Sequence, residues 1–126
     1  MAAPVSEPND SADEPGFPAI GLTNGDIFDA SDAFDAIRTE ADGADAAGVR
    51  AGAIRILRSA ISDGRAKIED AILAEPCAAR DAVRAYAYLT DGIVLTVYRV
   101  ASELLHPNPN PTEGERLAIL AVGGYG

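Results

Sequence analysis

The chain has 126 residues, enough for one modest domain, and it carries 20 acidic against 10 basic residues, for a net charge of −10. This surplus of carboxylates argues against binding to nucleic acid or to an anionic membrane surface, because both partners require clustered Lys and Arg. The single cysteine, Cys77, excludes an internal disulfide bond, no apolar run approaches the ~20 residues that cross a bilayer, and no secretory signal is visible, so we expect a cytoplasmic protein.

Residues 1–28 are rich in proline and in acidic side chains. They hold four of the eight prolines and five acidic residues, with no Lys or Arg. Such a segment has little apolar surface to offset the entropy that ordering costs. We therefore predict a disordered acidic arm over 1–28, which is either a solvated leader or an interaction tail.

A short helix is predicted to follow the arm. The stretch Asp29-Ala30-Ser31-Asp32 supplies side chains that accept hydrogen bonds from the free N–H groups of a first helical turn. Phe34, Ile37 and Ala41 then recur at helical spacing, and Asp42-Gly43 should end the helix.

A second and longer helix is predicted from about 46 to 75. Its apolar stripe consists of Ile54, Leu57, Ile61, Ile68 and Ile72. Gly64 interrupts the stripe and could end one helix, or it could lie inside a single helix at a cost of about 1 kcal/mol relative to Ala. We favour a single helix, which ends at Glu75-Pro76 because a residue before proline avoids the α region.

A third helix is predicted from about 78 to 105. Val83, Ala87, Val97 and Leu104 lie on one side of it, and Pro107 stops it. The region 29–106 is therefore predicted to be helical, with two long antiparallel helices and a short one, so the fold class is mainly α.

The chemical pattern changes after the third helix. Residues 107–115 form a Pro-rich connector, in which proline alternates with asparagine and forbids helix. The run RLAILAV at 116–122 is short and almost continuously apolar, which is typical of a β-strand buried on both faces. A strand needs partners for its backbone N–H and C=O groups, so we expect the neighbours of this one C-terminal β-strand to lie beyond Gly126.

A glycine cluster, Gly123-Gly124-Tyr125-Gly126, follows the predicted strand. Glycines at such a place can adopt positive φ and let backbone N–H groups approach a phosphate closely. The cluster is neither a Walker A loop nor a dinucleotide fingerprint. Taken alone, it fits a flexible chain end equally well.

The block NPTEGERLAILAVGGYG at 110–126 resembles the beginning of the nucleotidyltransferase domain of the bifunctional uridylyltransferase/uridylyl-removing enzymes. In that family, NPT-x-x-E-R-L leads into a strand and then AVGGYGRGEL, followed by a Ser-Asp-x-Asp segment. The stretches GRA at 64–66 and YLTD at 88–91 are similar to the helical lead-in of the α-proteobacterial members. The resemblance covers about residues 45–126, and the acidic arm lies outside it.

The resemblance implies a function for the parent enzyme and a limited role for this chain. The parent would use Mg²⁺ to transfer UMP from UTP to a tyrosine of the nitrogen regulatory protein PII, and would remove that UMP by hydrolysis. Gly123 and Gly124 would line the triphosphate of UTP, and 116–126 would form the first strand and glycine turn of a truncated α+β nucleotidyltransferase domain. The acidic pair that holds the metal is absent, so no catalytic residue and no metal ligand is assigned here and the isolated chain is expected to be inactive.

Two alternatives stay open. The chain could be a non-catalytic helical protein-interaction module whose apolar stripes pair with a partner helix. A relationship to the adenylyltransferase of glutamine synthetase is less close, because the glycine turn of that enzyme lacks the GGYG spelling.

Four further side chains are weaker functional candidates. Cys77 precedes two arginines of the third helix, His106 lies at the end of that helix, and Arg65 and Lys67 could reach PII or a nucleotide in the full enzyme. An ordinary structural or surface role is the simpler interpretation for each of them.

Overall fold

The computed structural model describes residues 16–110, 112, 114 and 117–122. A two-stranded antiparallel hairpin and four α-helices make up most of this part of the chain. Their bounds are β1 Gly16–Phe17, β2 Leu22–Thr23, α1 Asn24–Ile27, α2 Ala30–Ala41, α3 Ala46–Ala74 and α4 Ala79–Arg99, with a 3-10 turn at Pro18–Ile20 and a π-helical turn at Val100–Leu105. The prediction of a mainly α fold is confirmed.

Each of the first three helices begins at a polar cap. Thr23 and Asp26 cap α1 reciprocally, because the Asp26 N–H donates to Thr23 Oγ1 at 3.2 Å and the Thr23 N–H donates to Asp26 Oδ2 at 2.9 Å. Asp29 Oδ1 accepts from the Asp32 N–H at 2.9 Å and so caps α2, the predicted short helix. Asp45 caps α3 in the same way.

Helix α3 runs unbroken through Gly64, as predicted. A Cβ atom at this position would lie 2.9 Å from the Ile27 carbonyl oxygen and 2.9 Å from Leu89 Cδ1. Gly64 is therefore a point at which α1 and α4 approach the α3 backbone closely, and the glycine is explained by packing rather than by a helix end.

Helices α3 and α4 form an antiparallel hairpin. Gly64 lies ten residues before the end of α3, and its contact Leu89 lies ten residues after the start of α4. Helix α2 lies against both, because Glu40 pairs with Arg55 of α3 and the Phe34 ring lies beneath Arg99 of α4. The core between these layers is centred on Ile37, Ile68, Ala85 and Leu89, all at most 3% exposed.

The predicted disordered arm is wrong from residue 16 onward. Phe17, Ile20, Ile27 and Phe28 belong to the hydrophobic core and are 4–7% exposed. They are ordered because together they cover one side of the α3–α4 hairpin, and because the Ala19 N–H donates to Asp81 Oδ2 of α4 at 2.9 Å. Residues 1–15 of the predicted arm lie outside the described residues.

The predicted C-terminal strand is not observed. Leu117–Val122 contains neither helix nor strand, and Leu120 is 82% exposed. The described part of the chain offers this run no neighbouring strand, so its backbone groups have no ladder to join. The sheet that is present lies instead at Gly16–Thr23.

Candidate functional site

The predicted phosphate-binding glycines, Gly123 and Gly124, lie outside the described residues, so their role stays a prediction. Leu117–Val122, which leads to them, is exposed along its whole length. From Pro107 to Asn110 the connector is also exposed and has neither helix nor strand. Within it the Asn110 N–H donates to Asn108 Oδ1 at 3.1 Å, a local turn of the kind that asparagine favours.

The end of the helical region is held by an ionic and aromatic cluster. Arg99 Nε donates to Glu103 Oε1 at 2.9 Å, and the Arg99 guanidinium carbon lies 3.7 Å from the centroid of the Phe34 ring. The hydrogen bond from Arg99 lowers the pKa of the Glu103 carboxyl, and the same bond raises the pKa of Arg99. The last helical turns are thereby tied to α2, which fixes where the connector begins.

The chain changes from α-helix to π-helix just before the connector. The π-helical turn at Val100–Leu105 closes with the His106 N–H donating to the Ala101 carbonyl oxygen at 2.9 Å. Sequence reasoning predicted an ordinary helix here. The sequence signal for this change was the presence of Thr96 and Ser102 near the helix end. In the structure each hydroxyl donates to the carbonyl oxygen four residues earlier, and a hydrogen bond of this kind bends helices.

A cleft of about 400 Å³ lies between α1, α2 and α3. Carboxylates line it together with Ser59, Arg55 and Lys67. Lys67 is already engaged, since its Nζ donates to the Asp26 carbonyl oxygen at 2.8 Å, so its structural interpretation is supported. Among the residues with described positions, no cluster of three or more His, Cys, Asp or Glu could hold a metal ion.

The remaining candidate side chains are dispersed. Cys77 is exposed in the turn between α3 and α4, His106 is exposed at the start of the connector, and Arg65 is exposed on α3. Tyr88, which begins the YLTD stretch, is a packing residue: its ring lies edge-on against Phe17, with ring centroids 6.1 Å apart, and its hydroxyl donates to the Phe28 carbonyl oxygen. The structure therefore gathers none of these candidates into one site.

Comparison with known proteins identifies relatives for most of the chain. The chain is 52% identical over 86 residues to the bifunctional uridylyltransferase/uridylyl-removing enzyme of Ruegeria pomeroyi, which is 68% of this chain and 10% of that protein. It is 43% identical over 127 aligned positions to the enzyme of the same name from Cereibacter sphaeroides, which is 98% of this chain and 14% of that protein. A third such enzyme, from Azospirillum brasilense, is 40% identical over 78 residues.

These matches confirm the resemblance, and they also show how small a part of each relative it covers. The chain spans only 10% and 14% of the lengths of the first two relatives. No family model and no solved structure matches the chain. No helix in the described residues has the length and apolar content that a bilayer crossing would require.

Proposed function

We propose, from its homology with the bifunctional uridylyltransferase/uridylyl-removing enzymes, that this chain is part of such an enzyme and forms the helical lead-in to its nucleotidyltransferase domain. The observation that carries the proposal is the 43% identity to the Cereibacter sphaeroides enzyme across 98% of the chain. An alignment that reaches across the helices and the C-terminal run supports a shared architecture, and not merely a shared short motif.

The proposed parent reaction is the transfer of UMP from UTP to a tyrosine of PII. The tyrosine oxygen forms a bond to the α-phosphorus of UTP, the bond from that phosphorus to the diphosphate breaks, and the tyrosine proton is released. The reverse regulatory step is hydrolysis of the UMP–tyrosine bond. Reactions of this class depend on positioning and on neutralising phosphate charge, a task for which such enzymes use Mg²⁺.

The described residues do not fit a Mg²⁺ site. Their carboxylates are spread over helix caps and exposed helix faces, and no three potential ligands cluster. We therefore assign no step of the reaction to a metal held by this part of the chain.

Within the proposal, Gly123 and Gly124 form the phosphate contact of this chain. Backbone N–H groups in a turn without Cβ atoms can approach the UTP triphosphate closely. A turn of this kind binds phosphate, but without carboxylates to hold Mg²⁺ it lacks the metal that would neutralise the charge of the transfer step. The isolated chain is accordingly proposed to be inactive, with the helical region serving as a support for the turn.

Radiolabelled UMP incorporation into PII tests this proposal. The isolated chain should give no incorporation, while a longer polypeptide from the same gene should label PII and should lose that activity on Gly124→Val substitution. Gly114→Ala is the control, because the nearest atom of the described residues to a Cβ at Gly114 is Thr112 Oγ1, at 4.0 Å. Labelling by the isolated chain, or full activity of Gly124→Val, would overturn the proposal.

A second candidate is a non-catalytic helical interaction module. The exposed apolar residues Ile54, Val83 and Val97 favour it, because a helical pair with an uncovered apolar face is typical of partner binding. The reading frame after Gly126 separates the two. An Arg-Gly-Glu followed by Ser-Asp-x-Asp supports the enzyme, and a stop codon supports the module.

A further inference from the structure

The α3–α4 hairpin carries an apolar face that the described residues leave uncovered. We define the open hairpin face by Ile54 and Ile61 of α3 and by Val83, Val94 and Val97 of α4. Ile54, Val83 and Val97 are 51%, 68% and 50% exposed, and the other two are half-buried. Five branched aliphatic side chains on adjacent helices form a surface that costs free energy to leave in water.

The open hairpin face lies on the side of the hairpin away from α1 and α2. Gly52 of α3 packs against α2, and Gly92 of α4 packs against the ring of Phe28. Ile54 and Val94 each follow one of these glycines by two positions, and a helix turns by about 200° over two residues. Both side chains therefore point away from the layer that α1 and α2 form, so those helices cannot cover them.

Arginines border this face on α3. Arg58 and Arg65 each follow an isoleucine of the face by four positions, so they lie one helical turn along the same side. Both are exposed, and within the described part of the chain neither forms an ion pair with a carboxylate. Positive charges around an apolar patch suit a partner that has an apolar patch bordered by acidic groups.

We propose that the open hairpin face docks against the nucleotidyltransferase part of the parent enzyme, and this rests on the proposed function. The relatives are long enough to supply such a partner, since this chain spans only 10% and 14% of their lengths. The apolar run Leu117–Val122 is exposed in the same way, with Leu120 at 82%. A single domain that pairs with this run and packs an apolar surface on the open hairpin face would bury both surfaces.

The connector is long enough for that arrangement. The ten residues from Pro107 to Arg116 span at most about 35 Å when extended. Val97 and Val83 lie 10 and 24 residues before Pro107, which corresponds to about 15 Å and 36 Å along a helix. The run Leu117–Val122 can therefore return alongside the hairpin, and the domain that it enters can reach the whole open hairpin face.

Cysteine accessibility tests the docking. In a Cys77→Ser background, single cysteines are introduced as Ile54→Cys, Val97→Cys and, as the matched control, Leu95→Cys. Leu95 is 56% exposed, close to Val97, but lies about 200° around α4 from it. Maleimide labelling rates are compared between the isolated chain and a chimera in which this chain replaces the aligned stretch of the Cereibacter sphaeroides enzyme.

Docking requires that labelling at positions 54 and 97 be about tenfold or more slower in the chimera, with the rate at position 95 unchanged. Equal rates in both proteins overturn the proposal. Protection of these positions in the isolated chain also overturns the proposal. Protection that depends on concentration indicates that a second copy of the chain covers the face, and protection that disappears on deletion of residues 1–15 indicates that the acidic segment covers it.

Two further measurements keep the test decisive. If the chimera does not fold, the same cysteines are placed at the aligned positions of the native Cereibacter sphaeroides enzyme, where the same protection is required. UMP transfer to PII is measured on the same samples. A chimera that protects both positions but transfers no UMP supports docking while contradicting the proposed function, and an active chimera without protection does the reverse.

Discussion

The contact between Gly92 and Phe28 allows a mutational test in which packing and helix propensity act in opposite directions. A Cβ atom at Gly92 would overlap the Phe28 ring, with Cε1 only 2.8 Å away and Cδ1 closer still. The ring is not free to move, because Phe28 is 5% exposed and its carbonyl oxygen accepts from the Tyr88 hydroxyl. Gly92→Ala therefore forces a methyl group into a filled space.

The expected magnitude follows from two terms. Replacing glycine by alanine inside a helix favours folding by about 1 kcal/mol. Overpacking a filled core costs about 1–3 kcal/mol, and the upper end applies here because two ring carbons are too close to the new atom. Gly92→Ala should thus lower the free energy of unfolding by about 2 kcal/mol, which corresponds to a fall in Tm of about 8 °C for a domain of roughly 100 residues.

Gly52→Ala is the matched control. The nearest atom to a Cβ at Gly52 is Glu40 Oε2, at 2.9 Å, and this is the far end of an exposed, flexible side chain. Here the propensity term dominates, so the substitution should raise stability by about 0.5–1 kcal/mol. Thermal and urea unfolding followed by circular dichroism measure both variants. A Gly92→Ala chain as stable as Gly52→Ala would refute the packing argument, and a double-mutant cycle with Phe28→Leu should show coupling if it holds.

Two other predictions concern the ends of the helical region. Asp81→Ala removes the acceptor of the Ala19 N–H and should lower the free energy of unfolding by about 1 kcal/mol, with faster hydrogen exchange confined largely to residues 16–28. Asp81→Asn keeps an acceptor oxygen and should restore most of the protection against exchange. A uniform loss of protection along the chain would contradict a local role. The hydrogen bond from Arg99 lowers the pKa of Glu103 from its ordinary value of 4.5. The stability that the Arg99–Glu103 pair contributes is therefore complete above that ordinary value and is lost as the pH falls through the lower pKa of the folded state. Glu103→Gln should therefore show a smaller loss of Tm than the unsubstituted chain between about pH 5 and pH 3, and identical pH profiles would show that the pair contributes nothing.

The helices could be predicted from the sequence because their signals are local. The predicted second helix, 46–75, is observed as Ala46–Ala74, and Asp29 caps α2 as its position suggested. Apolar spacing, a capping carboxylate and a following proline each act within a few residues. They therefore define a helix without knowledge of the rest of the fold.

The segment 16–28 was missed because its order depends on distant partners. Phe17 and Phe28 are buried against α4, which lies about 60 residues further along the chain. The composition of 1–28 also concealed a boundary, since four of its five acidic residues precede Gly16. Treating 1–15 and 16–28 separately would have revealed a short apolar segment with a Thr23–Asp26 capping box.

The candidate site could be predicted only as a motif, and its position depends on long-range contacts. A phosphate-binding turn works only when it is held close to its productive geometry, because displacement by about 1 Å costs rate. Arg99, Phe34 and Glu103 fix the end of the helical region, but the Pro-rich connector separates that anchor from Gly123 and Gly124 by more than ten residues. A connector of this length does not by itself hold a turn in place. Within our proposal, the turn is supported by the nucleotidyltransferase domain that follows the connector, and that domain is held in place by the open hairpin face.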